Sequence, residues 1–156
     1  MTDWRIEPLR EHPHLISVLA PLHQAEWAHM QPDMNVAGWA REFDSHTLFD
    51  LPITLVAINA QGGLLGSASL IMNDMGQDVP WSPWLANVLV LPKARGQGIG
   101  AALINAIEKQ AQALGHAQLY LFTADQQHFY ATRGWEAFEH RVHQNDIVTL
   151  MHKNLS

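Results

Sequence analysis

The sequence predicts one α/β domain spanning residues 1–156, in which helices flank a sheet that contains hairpins. The length of 156 residues is that of a single domain of ordinary size. Apolar residues make up 47% of the chain and charged residues 15%, which is enough apolar matter for a core and too little charge for a disordered chain. The period of the apolar residues changes several times, as expected where helices and strands alternate.

The first third of the chain predicts a strand followed by two helices. Residues 2–9 alternate weakly around Trp4 and predict an edge strand that Pro8 ends. Residues 13–30 and 36–48 repeat apolar side chains at every third or fourth position, which is typical of amphipathic helices.

The middle of the chain predicts a hairpin and a further strand. Residues 53–59 and 64–72 are apolar, partly β-branched runs, and the two glycines in residues 60–63 supply the positive φ angles that a hairpin turn requires. Residues 73–83 are polar and rich in proline, so they predict a loop of the kind that often carries binding groups. Residues 84–91 predict the next strand.

The last third predicts two more helices among strands. The glycine-rich residues 92–100 precede an apolar-periodic helix, residues 101–114, which Gly115 ends. The remaining predicted elements are a strand at residues 118–123, a short helix that Asp125 caps and Gly134 ends, and strands at residues 135–142 and 147–152. The order is β, α, α, three β, α, β, α and two β, and no repeat or linker indicates a second domain.

The composition excludes several classes of function. The net charge is −6 and the basic residues are scattered, so the basic surface needed to bind nucleic acid or an anionic membrane is missing. Cysteine is absent, which excludes a disulfide, a thiolate zinc site and a cysteine nucleophile. The ten histidines include no H-E-x-x-H motif and no third ligand at a suitable spacing, so we expect no metal. The charged N-terminal segment is unlike a signal peptide, and we expect a cytoplasmic protein.

A run of three glycines, residues 95–100, lies between a predicted strand and a predicted helix. Glycines let the backbone turn its N–H groups towards one point at the positive end of the helix dipole, where a diphosphate binds well. A tight turn without a ligand is the alternative. Gly96, Gly98 and Ala101 also match the dinucleotide fingerprint, but residues 92–95 separate them from the strand and too little chain remains for a doubly wound sheet.

Two motifs together resemble one protein family. Residues 90–100, VLPKARGQGIG, are similar to the (Q/R)-x-x-G-x-(G/A) acetyl-CoA loop of the GCN5-related N-acetyltransferases (GNAT), and residues 129–135, FYATRGW, are similar to the family's Y-x-x-x-G-(F/W) segment. The resemblance covers nearly the whole chain. It implies a mixed, mostly antiparallel, twisted sheet flanked by helices. Residues 8–15, Trp27 and residues 119–130 more weakly resemble the actin N-terminal acetyltransferase branch.

The resemblance implies that the chain binds acetyl-CoA as a co-substrate. The pyrophosphate would be bound by main-chain N–H groups of the glycine loop and the first turn of its helix, which belong to Gln97, Gly98, Ile99, Gly100 and Ala101. Gly96 lies in the same turn, and Arg95 adds positive charge beside it. Main-chain groups of Leu89 and Val90 would hold the pantetheine arm like an added strand and donate to the thioester oxygen.

Acetyl transfer to an amine also needs an acid and a base. By resemblance, Tyr130 is the acid that protonates the departing thiolate, since a phenol of ordinary pKa about 10 stays protonated at neutral pH. The base is open, because many relatives carry Glu or Asp on the central strand where this chain has Asn87, a residue suited to orienting a water. The alternative bases are Glu26, His128 and Asp74.

We expect the acceptor to be a primary amine on a small molecule or at a peptide N-terminus. An α-amino group, with a pKa near 8, suits a weak or water-mediated base better than a lysine does. Trp27 and Trp81 are the predicted acceptor contacts. The sequence leaves open whether the protein is a homodimer. It also leaves open a second function, an acyl-CoA-binding regulatory module without catalysis, which the missing strand carboxylate favours.

Overall fold

Seven strands form one sheet in the part of the chain that the structure, a computed structural model, describes: residues 3–28, 33–45, 51–74 and 79–155. In chain order the strands are β1 (Trp4–Pro8), β2 (Ile53–Asn59), β3 (Leu64–Ile71), β4 (Trp84–Val90), β5 (Gln118–Thr123), β6 (Glu136–His143) and β7 (Asp146–Asn154). Their order across the sheet is β1-β2-β3-β4-β5-β7-β6. Neighbours are antiparallel except β4 and β5, which are parallel.

Four α-helices within the described segments cover the two faces of the sheet: α1 (Ile16–Trp27), α2 (Val36–Ser45), α3 (Ile99–Ala113) and α4 (Gln127–Ala131). Alternate residues of β2 point to opposite faces. Leu55 and Ala57 belong to the core cluster that contains α3, whereas Val56 and Ile58 belong to the cluster that contains α1 and α2. The core is therefore two apolar layers, one on each side of the sheet. No helix among the described residues is long and apolar enough to cross a bilayer.

The order of elements agrees with the order that the sequence predicts. The hairpin of β2 and β3 is confirmed by its antiparallel register, Thr54 opposite Ser69. Helix α3 begins at Ile99, two residues before its predicted start, because Gly98 at φ +81° ends the preceding turn and caps the helix. The predicted ends of the first two helices, residues 29–30 and 46–48, and the middle of the predicted loop, residues 75–78, lie outside the described residues.

One predicted cap is wrong. Asp125 does not cap α4, whose N-cap is Gln126 without a side-chain cap bond. Thr123 at the end of β5 accepts the Gln126 N–H through Oγ1 at 3.0 Å instead. The β6–β7 turn agrees with its prediction, since Gln144 and Asn145 both have positive φ, as a two-residue hairpin turn requires.

Candidate functional site

The central feature of the sheet is a gap between its two parallel strands. β4 and β5 share one register pair, Trp84 opposite Tyr120, and the Tyr120 N–H donates to the Pro83 carbonyl at 3.0 Å. Beyond this pair the strands diverge, and a cavity of about 1040 Å³ lies between them, lined by residues 85–90 of β4 and by residues 121–126. The edge of β4 that faces this gap is therefore free to pair with a ligand.

A bulge interrupts β4 where it lines the cavity. Ser69 of β3 lies opposite Ala86 and Ser67 lies opposite Leu89, so two residues of β4, Asn87 and Val88, face a single residue of β3. Asn87 has φ +57°, a left-handed conformation that Asn tolerates better than most residues. The bulge removes backbone groups of Asn87 and Val88 from the ladder and leaves them available to other partners.

The hydrogen-bond pattern shows which amides of β4 face the gap. The Leu91 N–H donates to the Leu65 carbonyl of β3 at 2.9 Å. Because backbone groups alternate along an antiparallel pair, those of Leu89 also point to β3, and those of Val88 and Val90 point to the gap. The main-chain role that the sequence assigned to Leu89 thus fits Val88 better, while that of Val90 fits its position. Both roles stay predictions.

Polar contacts hold the bulge from both sides. The Asn87 side-chain amide donates to Ser69 Oγ at 3.5 Å, and that hydroxyl shares a 2.7 Å hydrogen bond with Thr54 Oγ1 in the interior. The Asn87 carbonyl lies 3.4 Å from Nε2 of His23, a buried residue of α1. Asn87 therefore lines the cavity, but its side-chain amide contacts β3, and its role in orienting a water stays a prediction.

At one end of the cavity the glycine loop forms the start of α3. Gly96 and Gly98 both have φ +81°, and a Cβ at either position would meet no atom within 4 Å, so the space in front of the loop is open. The first N–H groups of a helix lack partners within the helix and favour an anion. Arg95 adds a guanidinium and donates to the Val90 carbonyl at 3.2 Å. These features fit a diphosphate.

The predicted loop residues lie where this arrangement requires them. Of the residues assigned to acetyl-CoA, those that line the cavity are Leu89, Val90, Arg95, Gly96, Gly98, Ile99, Gly100 and Ala101. Gln97 is exposed between the two glycines of positive φ. Most of the predicted residues therefore line the cavity, and their role in binding acetyl-CoA stays a prediction.

Tyr130 on α4 lies against the same cavity from the α3 face of the sheet. It is 8% exposed and makes edge-to-face contacts with the rings of Phe129 and Trp135. Burial raises the pKa of its phenol to about 12, although the positive charge of Arg133 acts in the opposite direction. The Arg133 guanidinium lies over the Phe129 ring, one helical turn earlier in the chain, with its centre 3.8 Å from the ring centroid.

The other end of the cavity is acidic and aromatic. Glu26 and Trp27 reach it from the end of α1, and Asp74 reaches it from the segment after β3. Burial raises the pKa of the Asp74 carboxyl to about 7, and the negative charge of Glu42 adds to the effect. A carboxyl with this pKa exchanges its proton near neutral pH, which suits a general base.

Two predicted residues lie elsewhere. Trp81 is not among the residues that line the cavity, since its ring packs 5.1 Å from that of Phe138 and 6.5 Å from that of Tyr120. Its predicted contact with an acceptor stays a prediction that this cavity does not support. His128, one of the alternative bases, is also absent from the lining. Among the described residues, no group of three or more His, Asp or Glu side chains is arranged to hold a metal.

Comparison with known proteins places this geometry in a family. The model of the acetyltransferase (GNAT) domain matches residues 51–137, more than half of the chain and the part that holds the bulge, the glycine loop and Tyr130. No curated protein matches the sequence significantly.

Solved structures of the same fold cover almost the whole chain. An aminoglycoside 6′-N-acetyltransferase complexed with coenzyme A is 19% identical with a TM-score of 0.76, and the match covers 97% of each chain. A putative acetyltransferase from Salmonella typhimurium with acetyl-CoA, yncA, is 13% identical with a TM-score of 0.76 and covers 99% of this chain and 95% of its own. The spermidine N-acetyltransferase from Vibrio cholerae with CoA and spermine is 19% identical with a TM-score of 0.71, covering 98% and 96%.

Proposed function

Because the chain belongs to the GNAT family of acetyltransferases, which use acetyl-CoA, we propose that it transfers the acetyl group to a primary amine on a small molecule or at a peptide N-terminus. The amine attacks the thioester directly, without a covalent enzyme intermediate. One observation carries this proposal: a single cavity joins the glycine loop to the acidic, aromatic end formed by Glu26, Trp27 and Asp74. A protonated amine is attracted to the acidic end before it loses its proton.

The donor end of the cavity fits acetyl-CoA through features of this chain. The open glycine turn and the first N–H groups of α3 would bind the pyrophosphate, with Arg95 beside them. The free edge of β4 would pair with the amides of the pantetheine arm, as an added strand does. The Val88 N–H, outside the ladder at the bulge, would donate to the thioester oxygen, where negative charge develops during attack.

Two groups in the cavity suit the proton transfers. A bond forms between the amine nitrogen and the carbonyl carbon while the bond from that carbon to sulfur breaks, so the amine loses one proton and the thiolate gains one. Asp74, with a pKa of about 7, accepts the amine proton at neutral pH. Tyr130, with a pKa of about 12, stays protonated and donates to the thiolate, and then recovers its proton from solvent. Asp74 thereby takes the role of the carboxylate that β4 lacks at Asn87.

The names of two structural neighbours support the acceptor class. Aminoglycosides and spermidine both carry primary amines and several positive charges, and the acidic end of this cavity is suited to such molecules. A peptide N-terminus satisfies the same chemistry with one charge. We therefore propose amine acetylation as the activity and leave both acceptor kinds to experiment.

The test is thiol release from acetyl-CoA across a panel of amines. The panel contains polyamines, an aminoglycoside and short peptides, each peptide with a free and with a blocked N-terminus. We expect CoA and acetylated amine to form in equal amounts with at least one free amine and with no blocked one, as followed by thiol assay and mass spectrometry. Tight CoA binding without release for any amine between pH 7 and 9 would instead favour the regulatory module.

A further inference from the structure

A buried histidine contacts the main chain of the β4 bulge from the helix opposite. His23 lies on α1 and is fully buried. Its Nε2 lies 3.4 Å from the Asn87 carbonyl oxygen, and its Nδ1 lies 3.2 Å from the Leu19 carbonyl oxygen one helical turn earlier. A main-chain carbonyl only accepts hydrogen bonds and a neutral imidazole carries one N–H, so the ring donates to the Asn87 oxygen in the tautomer that is protonated at Nε2.

Aromatic rings fix the orientation of this histidine. The ring centroids of Trp27, Trp39 and Phe43 lie 4.8, 5.4 and 4.6 Å from that of His23. Such a setting leaves the imidazole little freedom to turn away from Asn87. Trp27 also lines the acidic end of the cavity, so the same cluster borders the acceptor end and the bulge.

The geometry of one peptide group connects His23 to the reacting oxygen. The Asn87 carbonyl and the Val88 N–H belong to the same peptide unit, which is planar, and in a trans unit the two groups point in opposite directions. A donor that holds the Asn87 oxygen towards α1 therefore turns the Val88 N–H away from α1. Val88 lines the cavity, and its N–H is the donor proposed above for the thioester oxygen.

We propose that His23 is a positioning residue, which fixes the bulge peptide so that the Val88 N–H donates to the thioester oxygen of acetyl-CoA. At 3.4 Å the contact is long for an N–H···O bond, so we expect it to contribute little to the stability of the fold. The inference rests on the proposed function, since it concerns the oxygen on which charge develops. It adds to that function a residue of α1 that touches neither substrate.

Two variants with side chains of similar size separate the effect of His23 on the orientation of the bulge peptide from its effect on packing. His23→Leu fills the space without a donor, whereas His23→Gln keeps a side-chain N–H near the position of Nε2. The measured quantity is the carbonyl stretching frequency of bound acetyl-CoA, labelled with ¹³C at the thioester carbon, in the absence of any amine. A hydrogen bond to the oxygen lowers this frequency, so the wild-type band should lie below that of free acetyl-CoA.

In His23→Leu we expect the band to move back towards the free value and kcat to fall about tenfold, less than the 10²–10³ lost when such a donor is removed outright. His23→Gln should restore most of both. The CoA dissociation constant and the melting temperature should change little in either variant.

Other results overturn the inference in distinguishable ways. A band and a kcat unchanged in His23→Leu would show that the imidazole only packs. An equal loss of kcat, CoA affinity and melting temperature in both variants would show a structural role. A wild-type band that coincides with that of free acetyl-CoA would instead refute the placement of the thioester at Val88, whether or not an amine is acetylated. The spectroscopic test needs no acceptor, so an inactive amine panel does not affect its outcome.

Discussion

Replacing Tyr130 by Phe removes the phenol hydroxyl, with the proton that it would donate, and keeps the ring. The ring is 8% exposed and packs against Phe129 and Trp135, and Phe keeps both ring contacts, so we expect the variant to fold. General acids contribute roughly 10²–10⁴ to a rate. At a pKa of about 12 the phenol is a weak acid for a thiolate whose conjugate thiol resembles free cysteine, with a pKa of about 8.5. The loss of rate in the variant should therefore lie at the low end of this range.

We expect kcat to fall about 10²-fold, which corresponds to roughly 2.7 kcal/mol in the barrier, and the CoA dissociation constant to change less than about threefold. The matched control is Tyr120→Phe, which removes the other tyrosine hydroxyl of the chain. That hydroxyl donates to Gln118 Oε1 at 2.8 Å, and Tyr120 does not line the cavity. The control should keep kcat near the wild-type value.

The pH dependence gives a sharper test than the size of the effect. The pKa of Tyr130 is raised above its ordinary value, so the phenol stays protonated through the whole range in which assays are practical. The ratio of wild-type to variant kcat should then be constant from pH 7 to pH 10. A ratio that collapses between pH 9 and pH 10 would mean that the phenol ionises at its ordinary pKa. A ratio near one throughout would show that Tyr130 only packs.

The remaining predictions concern the two ends of the cavity. Gly98→Val should weaken CoA binding at least about tenfold in calorimetry. The valine side chain would fill the phosphate space, and a left-handed backbone costs a residue with a side chain about 1–2 kcal/mol. The control Gly115→Val, at a similar φ of +91° but outside the cavity, should leave the CoA affinity unchanged. Asp74→Asn should lower kcat/KM about 10²-fold above pH 7 and abolish the rise of kcat/KM that is centred near pH 7. The reason is that the proton-accepting carboxylate forms as the pH passes a pKa of about 7. A rise that persists in the variant with amines of different pKa would exclude Asp74 as the base. Trp27→Ala should raise the KM for the acceptor about tenfold in steady-state kinetics, because it removes a cation–π contact of roughly 1–2 kcal/mol. Trp81→Ala should leave this KM unchanged. The opposite result would show that the acceptor binds at Trp81.

The parts of the site that the sequence located are those held by local chain geometry. The glycine loop is read from consecutive residues, since only glycine adopts the φ of +81° at Gly96 and Gly98 without strain. Tyr130 lies about thirty residues further along the chain, beyond β5, and was found through the resemblance of residues 129–135 to a family motif. Both findings therefore come from short motifs, but only the loop is also explained by local backbone geometry.

The parts that the sequence did not locate depend on contacts between distant segments. The role proposed for Val88 depends on a bulge, whose extra residue is visible only in the register against β3. His23 lies 64 residues from Asn87, and its apolar surroundings on α1 give no sign of a contact to β4. The sequence assigned Trp81 to the acceptor because loops often carry binding groups, but its ring, in the segment before β4, packs against those of Tyr120 and Phe138.

Burial suits the two proposed proton-transfer groups, Asp74 and Tyr130, to opposite tasks. It disfavours the charged form of every ionisable group, so it raises the pKa of Asp74 to about 7 and that of Tyr130 to about 12. The first change turns a carboxylate too weak to take a proton from an amine into a base matched to neutral pH, and the second keeps a phenol protonated beside a thiolate. The same low dielectric lowers the pKa of an amine that enters the cavity, and the nearby carboxylates raise it. In the proposed reaction the acceptor would therefore bind as a cation at the acidic end, release one proton to solvent to become a neutral amine, and transfer a second proton to Asp74 as it attacks the thioester.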